Sequence, residues 1–220
     1  MGNVRNMSEL LQHVDVQAEL PGWRVLLDRV HATFRTGSFA KGAEFIARIT
    51  ELAEDANHHP DVDLRYPAVH ISLISHDVGG LTMRDINLAR QISQLAEELG
   101  IQPDLHRPQA TEIAIDALDI SSVKPFWQAV FGYQDKGEGD LVDPLGIGPA
   151  IWFQQMDEPR PQRNRIHIDV TVPHDVAEER MAAAIDAGGH LVSDDAAPAF
   201  WVLADAEGNE ACICTWQGRA

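Results

Sequence analysis

Two patterns of apolar residues alternate along the first hundred positions. Helical spacing of apolar residues, with a serine or threonine at the start, occurs at 8–20, 38–56 and 82–99. Strict alternation of apolar and polar residues at 23–34 and 62–73 predicts two β-hairpins between these helices. The chain therefore predicts an α+β domain: four antiparallel strands covered on one face by three helices, in the order α-β-β-α-β-β-α.

Turn and cap residues mark the ends of these elements. Asp28-Arg29 is the predicted turn of the first hairpin, although Asp-Gly is the pair that such turns favour. Gly79-Gly80 ends the second hairpin. Asp85 stands three residues after Thr82, so the two predict a capping box at the start of the third helix.

The second half of the chain contains an internal repeat. A strand, a helix and three further strands are predicted twice in tandem, and the opening strands begin at Glu112 and His167. The two helices are predicted at 121–133 and 175–189. We therefore predict a C-terminal domain of paired β-α-β-β-β units.

Chain length, net charge and cysteine content limit the number of domains and the classes of partner. The 220 residues suffice for two domains, which we place at 1–99 and 111–220, with a Pro-containing linker at 100–110. A formal net charge of −17 disfavours nucleic acid as a partner, because phosphate binding depends on clustered Lys and Arg. No apolar run is long enough for a membrane helix, and the N-terminus lacks a secretory pattern. Two cysteines, Cys212 and Cys214, fit a reducing compartment, so we expect a cytoplasmic protein without membrane contact.

A cluster of histidines lies between the second and third helices. Histidine titrates near neutral pH, so it serves as an acid or as a base without a large change of pKa. The spaced set in which the histidines occur is Glu54, His58-His59-Pro60, Tyr66, His76 and Asp85. We interpret this stretch as the catalytic face of the first domain.

The spacing of that set resembles the signature of the pterin-4a-carbinolamine dehydratases. The LPGW of residues 20–23 and the SHDVGGLTMRD run of residues 75–85 resemble the same family, over residues 8–99 in all. The resemblance implies loss of water from a 4a-hydroxytetrahydropterin to give the quinonoid dihydropterin. It also implies a small-molecule pterin substrate, no required cofactor, and self-association as a dimer or tetramer.

By this resemblance the catalytic residues are His58, His59 and His76. One base must remove the proton from N5, and one acid must protonate the departing 4a-hydroxyl. Which histidine plays which part stays open. We favour His59 for the proton transfer at the hydroxyl, with the other two holding and polarising the pterin. The expected substrate-binding residues are Asp85, Pro60 and Tyr66, although Asp85 is equally well explained as the helix cap.

Residues 111–217 resemble the glyoxalase and bleomycin-resistance group, the vicinal oxygen chelate proteins. Metal-using members of that group hold a divalent ion with inward side chains from four strands, typically His and Glu. The matching positions here supply only two good ligands, and two ligands compete poorly with water for a hard cation. The sequence therefore favours a domain without metal. The candidate ligands, if an ion is bound, are Glu112, His167, Cys212 and Glu210.

Two interpretations of the C-terminal domain stay open. Its tryptophans either line a pocket for a small molecule or form the core. They are Trp127, Trp152, Trp201 and Trp216.

Two functions are consistent with the whole sequence. The first is a two-domain enzyme, a hydro-lyase, in which the N-terminal domain is the dehydratase. The alternative assigns the function to the C-terminal domain, as a small-molecule-binding or metal-dependent glyoxalase- or dioxygenase-type protein. The N-terminal domain would then serve as a dimerisation module, a role that members of the resembled family play for a transcription factor. Three histidines beside an incomplete metal site favour the dehydratase.

Overall fold

The chain folds into two compact units, Met1–Pro108 and Gln109–Ala220. The computed structural model describes residues 9–121, 123–124, 133–137, 139–158, 166–186, 189–204 and 210–218. Within these ranges, the helices are all too short or too polar to cross a membrane.

Three helices and five strands are found in the described part of the first unit. The helices are α1 (His13–Glu19), α2 (Phe39–Ala56) and α3 (Met83–Glu98). The strands are β1 (Arg24–Leu26), β2 (Arg29–Arg35), β3 (Asp61–Arg65), β4 (Ala68–Leu73) and β5 (Gln102–Pro103). The sheet order is β1-β2-β4-β3, and β5 pairs with β2 beyond this path. The predicted antiparallel sheet with helices is confirmed.

Alternate residues of β2 and β4 form the core beneath the helices. Phe34 of β2 lies edge-on to Phe45 of α2, with ring centroids 5.3 Å apart. Trp23 contacts Phe34 in the same way, and its indole N–H donates to Ser93 of α3 at 2.9 Å. The predicted apolar stripes of α2 and α3 face this core, because their buried members recur at helical spacing.

The first helix departs from its prediction. It begins at His13, not at residue 8, and Val16 is its buried residue while Val14 is exposed. In the preceding segment the Leu11 N–H donates to the Leu81 carbonyl at 2.9 Å, so this part of the chain is tied to the residues just before α3.

The first hairpin and the predicted linker also differ from expectation. Leu26 pairs with Arg29, so the turn is Leu27-Asp28, one residue earlier than predicted. Leu27 takes a left-handed backbone conformation, with φ 53°. Within the predicted linker, residues 102–103 form β5 and extend the sheet of the first unit.

The described part of the second unit contains eight strands in one sheet, one helix with both ends described, and part of another helix at residues 120–121 and 123–124. The strands are β6 (Ala110–Ala117), β7 (Gln134–Asp135), β8 (Leu141–Val142), β9 (Ala150–Gln155), β10 (Ile166–Thr171), β11 (His190–Ser193), β12 (Phe200–Ala204) and β13 (Glu210–Cys214). The helix is α4 (Ala177–Asp186). Most of the helix predicted at 121–133, with Trp127, lies outside the described residues.

Sheet topology confirms the tandem repeat. The order is β11-β12-β13-β10-β6-β9-β8-β7, with the two repeats meeting where β6 and β10 pair antiparallel. Each of these central strands is parallel to the last strand of its own repeat, β9 or β13. The register sets Asp169 opposite Glu112 and beside Cys212, so these side chains share one face of the sheet.

Candidate functional site

A histidine–carboxylate pair lies buried in the first unit. The helix α2 ends at Asn57, which takes a left-handed conformation and turns the chain back toward the core. The next residue, His58, is therefore buried, with its N–H bonded to the Ala53 carbonyl at 3.1 Å. Its ring Nε2 lies 2.8 Å from Asp85 Oδ1, and the Asp85 side chain is fully buried.

Asp85 accepts several hydrogen bonds. Its Oδ2 accepts from the Ser75 hydroxyl at 2.7 Å and from the Thr82 backbone N–H at 2.8 Å. Burial alone would raise the pKa of Asp85, but the hydrogen bonds from His58, Ser75 and Thr82 hold it below its usual value. The predicted capping box is confirmed. The same carboxylate both caps α3 and holds His58.

This pairing fixes the protonation pattern of the His58 ring. An ionised carboxylate only accepts hydrogen bonds, so the Nε2 that faces Asp85 carries a proton. In the neutral ring, Nδ1 is then the proton acceptor. A carboxylate held against imidazole in this way orients the ring and stabilises the imidazolium form. The Asp85 carboxylate therefore fixes both the orientation and the tautomer of the His58 ring.

The other two predicted histidines are exposed. The His59 side chain is 57% exposed, and its Nε2 lies 3.2 Å from Glu54 Oε1. His76 follows Ser75 in the turn between β4 and α3, which is closed by a Ser75–Gly80 bridge. One histidine thus adjoins His58 in sequence, and the other adjoins the Ser75 that bonds to Asp85.

A second ion pair holds the turn that carries His76. Arg84 donates to Asp77 at 2.5 Å, and this hydrogen bond lowers the pKa of the Asp77 carboxyl. Arg84 belongs to the first turn of α3, so the turn and the helix start are fixed together. The Asp77–Arg84 pair had no sequence signal of its own.

The two remaining predicted substrate-binding residues lie apart from each other. Pro60 leads directly from His59 into β3. Tyr66 is 74% exposed at the opposite end of that strand. Because β3 has five residues and is about 16 Å long, one chain does not bring Tyr66 to its own histidines.

A separate cavity of about 590 Å³ lies in the second unit. Trp152 lines it, and its ring lies edge-on to His167 with centroids 5.9 Å apart. Phe200 and Val202 of β12 also line it, so the intervening Trp201 faces the other side of the sheet and packs in the core. Trp216 instead donates to His174 at 3.3 Å. Of the two open interpretations, the pocket holds for Trp152 and the core holds for Trp201, whereas Trp216 belongs neither to the cavity lining nor to that core cluster.

The candidate metal ligands are only partly brought together. Among the described residues, the ligand atoms of His167, Asp169 and Cys212 lie within 4.8 Å of one another. Glu112 and Glu210 lie outside this group, although Glu210 lines the cavity. The sequence pattern puts Asp169 on the same strand face as His167, two residues away on β10, but Asp169 was not chosen among the four candidate ligands. Imidazole, carboxylate and thiol fit a divalent ion of borderline softness.

Comparison with known proteins agrees with the geometry of the first unit. The family model described as pterin 4 alpha carbinolamine dehydratase matches residues 7–95. A protein of Thermosynechococcus vestitus assigned to the pterin-4-alpha-carbinolamine dehydratases is 42% identical over 93 residues, which are 41% of this chain and 98% of that protein. The chain belongs to the pterin-4-alpha-carbinolamine dehydratase family. A Thermomicrobium roseum protein assigned likewise is 45% identical over 78 residues, 36% of this chain and 84% of that one.

The match to the dehydratase family ends before the second unit, where the model of a glyoxalase-like domain matches residues 112–214. Among solved structures, a transcriptional coactivator/pterin dehydratase from Brucella melitensis aligns with 26% identity and a TM-score of 0.39, covering 40% of this chain and 99% of that one. The chain thus joins a dehydratase-family unit to a glyoxalase-like one.

Proposed function

We propose that the first unit dehydrates a 4a-hydroxytetrahydropterin to the quinonoid dihydropterin by histidine acid–base catalysis. The observation that carries the proposal is the buried His58–Asp85 pair, which the exposed His59 follows directly in sequence and which Ser75 bonds to the turn that carries the exposed His76. In the reaction a base removes the proton from N5, the N5–C4a double bond forms, and the C4a–O bond breaks. An acid protonates the departing hydroxyl, which leaves as water. Both proton transfers need groups that titrate near neutral pH.

The burial of each residue supports a division of labour. His59 is exposed and lies next to Glu54, which supports its proposed role of giving a proton to the 4a-hydroxyl of a bound pterin. His58 is held in place by Asp85, which supports a role in holding and polarising the pterin ring. His76 completes the set from the neighbouring turn. Asp85 has no exposed surface, so we assign it to positioning His58 and not to direct contact with the pterin.

The decisive experiment measures turnover of a synthetic carbinolamine by stopped-flow absorbance. His59→Ala should lower the rate by about a hundredfold, the usual contribution of a positioned acid or base. His106→Ala is the matched control, because His106 is also exposed in the first unit but lies outside the histidine cluster. An unchanged rate in His59→Ala would remove this histidine from the mechanism. Turnover indistinguishable from the buffer reaction in the unaltered protein would overturn the assignment itself.

The cavity of the second unit favours an additional binding function. Its volume of about 590 Å³ falls in the range of small-molecule sites, and Trp152 and Phe200 supply apolar walls. We infer that this unit binds a small molecule of its own. Equilibrium dialysis against a metabolite mixture, followed by mass spectrometry, would test this, with Trp152→Arg as the blocked variant. Equal retention by both proteins would contradict it. We also propose a cytoplasmic location, because a chain with only two cysteines suits a reducing compartment.

A further inference from the structure

Three potential ligand atoms converge at the wall of the second unit's cavity. His167 and Asp169 stand two residues apart on β10, so their side chains emerge on the same face. Cys212 is the register partner of Asp169 on the parallel neighbour β13. All three residues line the cavity.

The distances are close to those of a tetrahedral site. His167 Nε2 lies 3.7 Å from Asp169 Oδ1, and all three ligand atoms fall within 4.8 Å of one another. Ligands bound tetrahedrally to Zn²⁺ at its normal bond lengths are about 3.3 to 3.6 Å apart. Side-chain adjustments of about 1 Å would therefore complete the geometry, without movement of the strands.

We propose that His167, Asp169 and Cys212 form a binding site for Zn²⁺ or a similar thiophilic divalent ion, with the fourth position open to the cavity. Two ligands come from one strand and one from its neighbour, and neither β6 nor β9 contributes. This set therefore differs from a pattern of one ligand from each of four strands, for which the chain supplies too few donors.

The kind of ion follows from the donors. A thiolate ligand favours Zn²⁺ and Co²⁺, whereas Mg²⁺ and Ca²⁺ require oxygen ligands almost exclusively. Asp116 supports the site from β6, since its Oδ1 lies 3.8 Å from His167 Nδ1 and can orient the ring. Three protein ligands with an open fourth position are typical of sites that also bind water or a small ligand on the ion.

The test uses the full chain, stripped of metal by a chelator and titrated with Co²⁺ alone. Binding should produce the near-ultraviolet charge-transfer band of a Co²⁺–thiolate bond, and Zn²⁺ should abolish the band while excess Mg²⁺ should not. Cys212→Ser should lose the band. Cys214→Ser is the matched control, because this buried cysteine two residues further along β13 lies outside the ligand group.

Carboxylate variants distinguish the proposed ligands from those that the sequence mapping favours. Asp169→Asn should weaken Co²⁺ binding at least tenfold, since loss even of outer partners commonly costs ten- to hundredfold. Glu112→Gln should leave the affinity unchanged. If Cys212→Ser fails to fold, as judged by circular dichroism, it is replaced by His167→Gln, at a partly buried ligand whose side chain is 17% exposed, and this variant should also weaken binding at least tenfold. Absence of the band, its survival in Cys212→Ser, or displacement by Mg²⁺ would overturn the proposal.

Discussion

Asp85 joins two functions in one side chain. Its carboxylate caps α3 through the Thr82 N–H and also orients the His58 ring. The contributions can be separated because Thr82→Ala removes a cap hydroxyl while leaving the carboxylate in place. Asp85→Asn removes the charge that holds the imidazole.

We expect these two variants to differ in rate more than in stability. Thr82→Ala should lower the free energy of unfolding by about 1 kcal/mol, with turnover nearly unchanged. Asp85→Asn should cost about 1 to 3 kcal/mol and lower kcat by at least tenfold, because the ring loses its fixed tautomer. Urea unfolding and pre-steady-state turnover measure the two effects. Equal loss of rate in both variants would show that Asp85 acts only as a helix cap.

At the residue scale, the sequence identifies candidate functional residues more readily than it identifies the residues that they contact. The capping box could be predicted, because Thr82 and Asp85 are three residues apart. The histidines and Asp85 could be selected as candidates from their spacing along the chain. Ser75 as a partner of Asp85 could not, since a lone serine carries no signal. Asp169 was missed as a partner of Cys212 because their proximity depends on the register of β10 against β13, more than forty residues apart.

Among the elements, the first hairpin carries an unusual turn. Leu27 adopts φ 53°, which costs roughly 1 to 2 kcal/mol for a residue with a Cβ, whereas glycine adopts it freely. Leu27→Gly should therefore be more stable than Asp28→Gly by at least about 0.5 kcal/mol, because Asp28 has no such conformation to relieve. Thermal unfolding of the two variants under the same conditions measures the difference. The opposite order would mean that the Leu27 side chain contributes more packing than its backbone costs.

The pairing of β2 with β4 should make stability sensitive to acid. His31 and His70 stack with centroids 5.4 Å apart, and His31 Nδ1 lies 3.2 Å from His70 Nε2. Burial, then His70 and Arg29, lowers the pKa of His31 to about 3, and burial lowers that of His70 despite the nearby Asp63. Below the unfolded pKa of about 6.5, the unfolded chain binds the proton and the folded chain does not. Stability should therefore be complete above that pH and fall as the pH drops toward 3.

The size of this loss of stability in acid can be measured with a variant whose residue 31 does not titrate. Between pH 7 and pH 5, the free energy of unfolding should fall by up to about 2 kcal/mol through His31. His31→Gln should remove most of this slope. Denaturant titrations at both pH values test the difference, and an equal slope in the two proteins would assign the acid sensitivity to other groups.

Element boundaries show what local pattern can and cannot specify. The ends of α2 and α3 follow from Ser38, Thr82 and their apolar stripes, which act within one helix. The start of α1 does not follow from its own apolar pattern, and the segment before it is instead bonded to a residue distant in sequence, Leu81. Residues 102–103 form a strand because they pair with β2, a contact distant in sequence. Their own sequence, which contains a proline, predicts a linker.

At the scale of the whole molecule, the position of Tyr66 bears on assembly. Within one chain, β3 lies between Tyr66 and His59. If Tyr66 contributes to pterin binding, the contact must come from a second copy, which fits the proposed dimer or tetramer. Sedimentation equilibrium should show self-association, and Tyr66→Ala mixed with His59→Ala should recover part of the lost turnover. A monomeric enzyme with full activity would exclude Tyr66 from the site.

Because one carboxylate serves both the first turn of α3 and the orientation of an imidazole, work to make this protein more heat-resistant faces a constraint. Recapping or shifting the beginning of that helix would rotate a ring that is 27 positions away in sequence. Residues 82–85 should accordingly be kept as they are when stabilising substitutions are chosen, even though none of them is a histidine.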